Sequence, residues 1–235
     1  MDQLHSDSGL HVSQTMPAFA FLTNKHTVTG KILFLNGTSS AGKTTLSKGL
    51  QQALSECWQH IALDQFRDGL PDKYRGLNAP ANTTGALGLN VVPDTRDGQA
   101  FTRIHFGDDG QTLLRGMRRA MRALVDEGMN IIIDDIILAP EFLTDYLYTF
   151  DGCDVWFVGV RCDLTIIETR EQARLGRFPG TAFGHSEICH AHGIYDVEVD
   201  TGSNDPDRCV QDVMSRVKEG PGIAFDQLRK QLTPP

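Results

Sequence analysis

The chain has 235 residues, 40% of them hydrophobic, which is enough for a full core and fits one α/β domain. A formal net charge of −8 with no run of Lys or Arg excludes the electrostatic footprint of a nucleic-acid binder. Five scattered cysteines without a C-x-x-C pair argue against a disulfide framework and a zinc knuckle, and fit reduced thiols in the cytoplasm.

Residues 1–30 are expected to form a poorly ordered tail, and residues 31–235 the domain. Asp2, His5, Asp7 and His11 precede any apolar stretch, and the longest apolar piece, 17–22, lacks a basic flank and is too short to span a membrane. Met16 offers an alternative start. The apolar run Ile32-Leu33-Phe34-Leu35 predicts a strand. Directly after it, Gly37, Thr38, Ser39, Ser40, Ala41, Gly42, Lys43 and Thr44 match the pattern G-x-x-x-x-G-K-[ST], with a further hydroxyl at Thr45. Small side chains let the backbone curl so that its N–H groups face phosphate oxygens, at the positive end of the following helix. Lys43 is then placed for the β/γ-phosphates and the Thr44 hydroxyl for Mg²⁺. A glycine-rich turn with no ligand would need neither the lysine nor the hydroxyls.

A helix is expected over 43–57, with Leu46, Leu50 and Leu54 on one face, and a strand over 58–63 that delivers Asp64 at its end. Residues 71–99 are rich in Pro, Gly, Asn, Thr and Ala with little periodicity, and are expected to be a long functional loop. A helix over 111–128 buries Leu113, Leu114, Met117, Met121, Leu124 and Val125, leaving Arg115, Arg118, Arg119 and Arg122 on the wet side. A strand over 131–135 ends in Asp134 and Asp135, a helix spans 141–150 and a strand 155–160. A helix over 163–174, a strand over 195–199 and a helix over 206–218 follow. Strands alternating with helices imply a parallel sheet.

Ligands of such sheets lie beyond the carboxyl ends of the strands, so strand-end residues are the first functional candidates. Asp134 and Asp135 are placed to hold Mg²⁺, or else cap a neighbouring loop. Asp64 is placed either to accept the proton of an attacking hydroxyl or to cap the short segment 65–69. Arg170, Arg174 and Arg177 share one helix face and suit a lid that neutralises phosphoryl charge, unless Glu168 and Glu171 engage them in ion pairs. His185, Cys189, His190 and His192 cluster within eight residues, but only one spacing is helical and no second ligand group lies nearby, so no metal site is assigned there.

From Lys31 to about Val217 the chain resembles the chloramphenicol phosphotransferases. The matching stretches are Leu35 to Lys43, Ile131 to Asp135, Val158 to Asp163, Arg170-Glu171, and His190 with Tyr195 to Thr201. The resemblance implies a three-layer P-loop kinase-like α/β fold, with a central, mostly parallel sheet flanked by helices and a lid around residues 170–185. It implies Asp64 as general base and lid arginines over the phosphates. Where the family's lid usually reads Arg-Gly-Asp-Arg, this chain has Arg174-Leu175-Gly176-Arg177, keeping both arginines without the acidic residue.

The expected activity is transfer of the γ-phosphoryl group of ATP to a hydroxyl of a small, partly apolar molecule, with an antibiotic such as chloramphenicol as the expected acceptor. ATP is the expected co-substrate and Mg²⁺ the cofactor, without nucleic-acid or membrane partners. The catalytic set is Asp64, Lys43, Arg174 and Arg177, with Arg170 on the nucleotide. Alternatives are a metabolic kinase of a sugar, nucleoside or other polyol, and a nucleotide-binding regulator without turnover. The sequence carries no signal of oligomeric state.

Overall fold

A computed structural model describes residues 29–96, 98–173 and 180–232. Most of the expected tail, and the 174–179 stretch with Arg174 and Arg177, therefore lie outside the described residues. Chain order is β1 (Lys31–Asn36), α1 (Lys43–Ala53), β2 (Trp58–Ala62), α2 (Leu63–Asp68), β3 (Arg75–Leu77), α3 (Thr84–Leu87), β4 (Leu89–Arg96), β5 (Gln99–Phe106) and α4 (Asp108–Asp126). Then follow β6 (Asn130–Asp135), α5 (Pro140–Thr149), β7 (Asp154–Arg161), α6 (Leu164–Gln172), α7 (Thr181–His185), β8 (Val197–Asp200), α8 (Pro206–Glu219) and α9 (Ala224–Leu232).

Five parallel strands form the central sheet in the order β2-β6-β1-β7-β8. The middle strand β1 is apolar on both faces because both are covered, as parallel strands require. Ile32 and Phe34 pack with Leu114, Met117 and Met121 of α4, Tyr146 of α5 and Phe225 of α9. Leu33 and Leu35 pack with Leu46 and Leu50 of α1 and Val210 and Val213 of α8. The result is the parallel sheet expected from the alternation of strands and helices, in the three-layer arrangement that the resemblance implies. Two helix starts show why the chain turns where it does. The Asp163 carboxylate accepts from Thr165 N at 2.9 Å before α6, and that of Asp205 from Arg208 N at 2.8 Å before α8, which has Pro206 in its first turn.

The expected long loop over 71–99 is not structureless. It contains β3, α3 and β4, and β4 pairs antiparallel with β5 from Leu89 opposite Phe106 to Arg96 opposite Gln99. Together β3, β4 and β5 form a second, three-stranded sheet. The signal for the hairpin lies in the Asp97-Gly98 dipeptide and the alternation Thr102-Arg103-Ile104-His105-Phe106, in which the even-numbered positions are the less exposed ones. The helix α9 lies beyond the last element read from the sequence; its buried residues Ala224, Phe225 and Leu228 close the core at the fourth-residue spacing of an amphipathic helix.

One arginine of α4 departs from its expected wet face. Arg118 is 2% exposed and pairs with Asp145 at 2.8 Å, its guanidinium 4.6 Å from the ring centre of Tyr146 and 5.1 Å from that of Phe142. The α5 helix packed against α4 supplies all three partners, so the polar position is taken inside.

Candidate active site

The carboxyl ends of β1, β2 and β6 meet at one edge of the central sheet. Register places Ala62 of β2 beside Asp134, and Asn36 of β1 beside Asp135. The loop 37–42 leaves β1 there and turns into α1. Two of its glycines are sterically required: a Cβ on Gly37 would lie 2.5 Å from the Val160 carbonyl oxygen, and Gly42 has φ +91° with Thr201 against it. Lys43 is 9% exposed and folds back over the loop, its Nζ donating to the carbonyls of Gly37 at 2.8 Å and Thr38 at 3.0 Å. It also lies 3.6 Å from Asp134 Oδ1.

Adjacent strand residues point to opposite faces, and this separates the two aspartates. Asp134 faces α1, where its Oδ2 accepts from the Thr44 hydroxyl at 2.7 Å and lies 3.5 Å from His60 Nε2. Burial raises its pKa, but Lys43 and the contacts with His60 and Thr44 outweigh this and hold the carboxyl below its ordinary value. Asp135 faces α5, accepts from the Tyr146 hydroxyl and receives Ile136 N at 2.7 Å. Burial there pushes its pKa up against those two hydrogen bonds, and pushes the Tyr146 phenol well up. The hard oxygens of Thr44 and Asp134 are thus the pair suited to Mg²⁺, with Asp134 ionised.

Asp64 is not at a strand end. It occupies the first turn of α2, whose N-cap is Ala62, so the capping role is not the one it fills. Gln65 Oε1 instead accepts from Ala62 N at 2.9 Å. Asp64 pairs with Arg67 at 2.7 Å on a partly exposed surface and faces the cleft described below.

Arg170 joins three segments. It donates through Nη2 to the Thr201 carbonyl at 2.8 Å and through Nη1 to the Thr201 hydroxyl at 3.2 Å, and that hydroxyl donates to the Ala41 carbonyl at 2.7 Å. Glu171 is buried and accepts from the backbone N–H groups of Gly180 at 2.9 Å and Ala182 at 3.2 Å, which fixes the start of α7. The α6 helix ends at Gln172, short of the expected 174.

His190 and His192 gather around Asn36 and Tyr195. Asn36 Nδ2 donates to the Cys189 carbonyl at 2.6 Å and lies 2.6 Å from the Tyr195 hydroxyl, which is 2.5 Å from His190 Nδ1. Asn36 Oδ1 accepts from Ile137 N at 3.0 Å, so this buried amide ties β1 to the segment after β6 and to the turn after α7. Nothing in their residue types marks Asn36 and Tyr195 for a role; the signal they carry is position, at the strand end and within the resembling segment.

These walls enclose a cleft of about 730 Å³. The phosphate loop, Thr44, Thr45, Asp134, Arg170 and Thr201 line part of it. Leu63, Leu89, Ile104, Phe106 and Ile136 line an apolar part, and Asp64, Arg67 and His185 also face it. One cleft thus combines a ready-made anion site with an apolar wall and carboxylates.

A family described as chloramphenicol phosphotransferase-like protein matches residues 30–218. A Mycobacterium tuberculosis protein (strain H37Rv), named for a proposed O-phosphotransferase activity, is 36% identical over 206 residues, covering 86% of this chain and 89% of the relative. Among solved structures, the M. tuberculosis APS kinase CysC in complex with AMPPNP and APS aligns with a TM-score of 0.55 at 16% identity, over 81% of this chain and 98% of that one. An unliganded sugar kinase from Janibacter aligns with a TM-score of 0.54 at 16% identity, over 80% and 95%. At these identities the structural likeness shows a shared kinase fold.

Proposed function

The chain belongs to the chloramphenicol phosphotransferase-like family and has the fold of P-loop kinases, and from this we propose that it moves the γ-phosphoryl group of ATP to a hydroxyl of a small, partly apolar acceptor. An antibiotic such as chloramphenicol is the acceptor we favour, and the cytoplasm the compartment. The observation that carries the reading is the one cleft that the phosphate loop, an apolar wall and Asp64 line together.

In this reading the loop N–H groups, Lys43 and the positive end of α1 hold the triphosphate. Nucleotide phosphate takes over the donors that Lys43 now directs at Gly37 and Thr38. Thr44 and Asp134 hold Mg²⁺, which neutralises charge on the phosphates when bound. Asp64 accepts the acceptor's proton, and its pairing with Arg67 keeps the carboxylate oriented in the cleft. Arg170 holds the Thr201 segment against the loop, and Arg174 and Arg177 offset charge on the transferring group.

The test is a phosphoryl-transfer assay with ATP and Mg²⁺ against a panel of neutral hydroxylated antibiotics headed by chloramphenicol, beside a panel of sugars, nucleosides and polyols. Transfer confined to the first panel supports the reading. Transfer confined to the second makes the chain a metabolic kinase, and nucleotide binding without transfer to any compound makes it a regulator.

A further inference from the structure

His185, the last residue of α7, has no part in the chemistry described above. It is 3% exposed, it lines the cleft, and its Nε2 has no hydrogen-bond partner among the described residues. A buried nitrogen left unpaired costs free energy that folding alone gives no reason to bear. The helix that carries it is held firmly. Glu171 receives its first N–H groups, Thr38 Oγ1 donates to the Ala182 carbonyl at 3.2 Å, and Gly184 packs against the Phe101 ring and the Thr102 carbonyl of β5. His185 is therefore fixed where the phosphate loop meets the β4–β5 hairpin, in a cleft that Leu89 and Ile104 also line.

We propose that His185 is a specificity-determining residue of the acceptor site, its imidazole hydrogen-bonding a polar group of a neutral acceptor other than the hydroxyl that receives phosphate. This rests on the phosphotransferase reading above. Burial, together with the Arg103 and Lys43 cations, lowers the His185 pKa to about 4, so the ring is uncharged at neutral pH. An uncharged ring adds little for phosphate where the loop N–H groups, Lys43 and the α1 terminus already act. In a partly apolar cleft the same ring distinguishes an acceptor bearing a matching donor or acceptor group from one lacking it, because only the first satisfies the nitrogen.

The experiment compares His185→Leu and His185→Gln with the wild-type chain. Without ligands, His185→Leu should raise Tm by roughly 2–4 °C, since it removes an unpaired polar group at similar volume. With the best acceptor from the antibiotic panel, it should raise acceptor KM about tenfold. ATP affinity should hold, and His185→Gln should recover part of the loss. A lowered Tm, an unchanged acceptor KM, or an equal loss of ATP affinity overturns the assignment. A wild-type chain that transfers phosphate to nothing in the panel overturns the phosphotransferase reading and the assignment together, whereas an active chain indifferent to His185→Leu overturns the assignment alone.

Discussion

Thr44 Oγ1 donates to Asp134 Oδ2 at 2.7 Å, joining the first turn of α1 to the end of β6 across ninety positions of sequence. The neighbouring Asp135 turns its carboxylate to Tyr146 on the opposite face. Asp134→Asn should therefore raise the Mg²⁺ concentration for half-maximal transfer by about 10–100-fold. Asp135→Asn keeps an oxygen for Tyr146 and should leave that requirement unchanged. A Mg²⁺ titration of both variants checks this, and the reverse ranking would assign the metal to Asp135.

Asp64→Asn preserves shape and removes the proton acceptor. Because Asp64 pairs with Arg67 on a partly exposed surface and is not the N-cap of α2, its loss should change stability by no more than about 1 kcal/mol. Loss of a general base costs about 10²–10⁴ in kcat. The low end is expected here, since phosphoryl transfer has a loose transition state in which little proton transfer has occurred. Steady-state kinetics and a melting curve on the same preparation decide it. Normal kcat would remove Asp64 from the catalytic set.

Arg118→Met keeps much of the volume but removes the charge facing Asp145 and the guanidinium over Tyr146 and Phe142. Asp145 remains partly open to water, so the loss should fall at about 2–4 kcal/mol, below that of a fully buried broken pair. Urea denaturation at neutral pH reads it directly. An effect under about 0.5 kcal/mol would mean that Arg118 behaves as a surface arginine after all.

His185, His190 and His192 share one consequence for pH. Burial lowers the pKa of each to about 4, with help from Arg103 and Lys43 at His185 and from Arg161 at the other two. In the unfolded chain each takes up a proton near pH 6.5, so between these values the unfolded state binds more protons and stability rises with pH. Stability should thus fall as pH drops from about 7 to about 5.5, by up to roughly 1.4 kcal/mol per pH unit for each histidine. Melting curves over this range check it; a flat profile would contradict the lowered pKa of all three.

The phosphate loop was legible in the sequence because its chemistry is local: eight contiguous residues after an apolar strand specify a backbone shape, a lysine and a hydroxyl. The parallel sheet was legible for the same reason, since each β-branched run and each helical stripe reports its own surroundings. What tertiary structure alone decided were the relations between elements. Helical periodicity set Arg118 apart from the apolar stripe of α4, but could not show that α5 would bring Asp145, Tyr146 and Phe142 over it. The sequence offered Asp134 and Asp135 alike, and which of them meets Thr44 depends on which helix layer covers each face of β6. The hairpin of β4 and β5 carries its own turn and alternation signals, but that α7 docks against β5 is a relation between distant segments. His185 is the extreme case: nothing in a short helix marks one histidine as unpaired, because being unpaired is a property of everything folded around it.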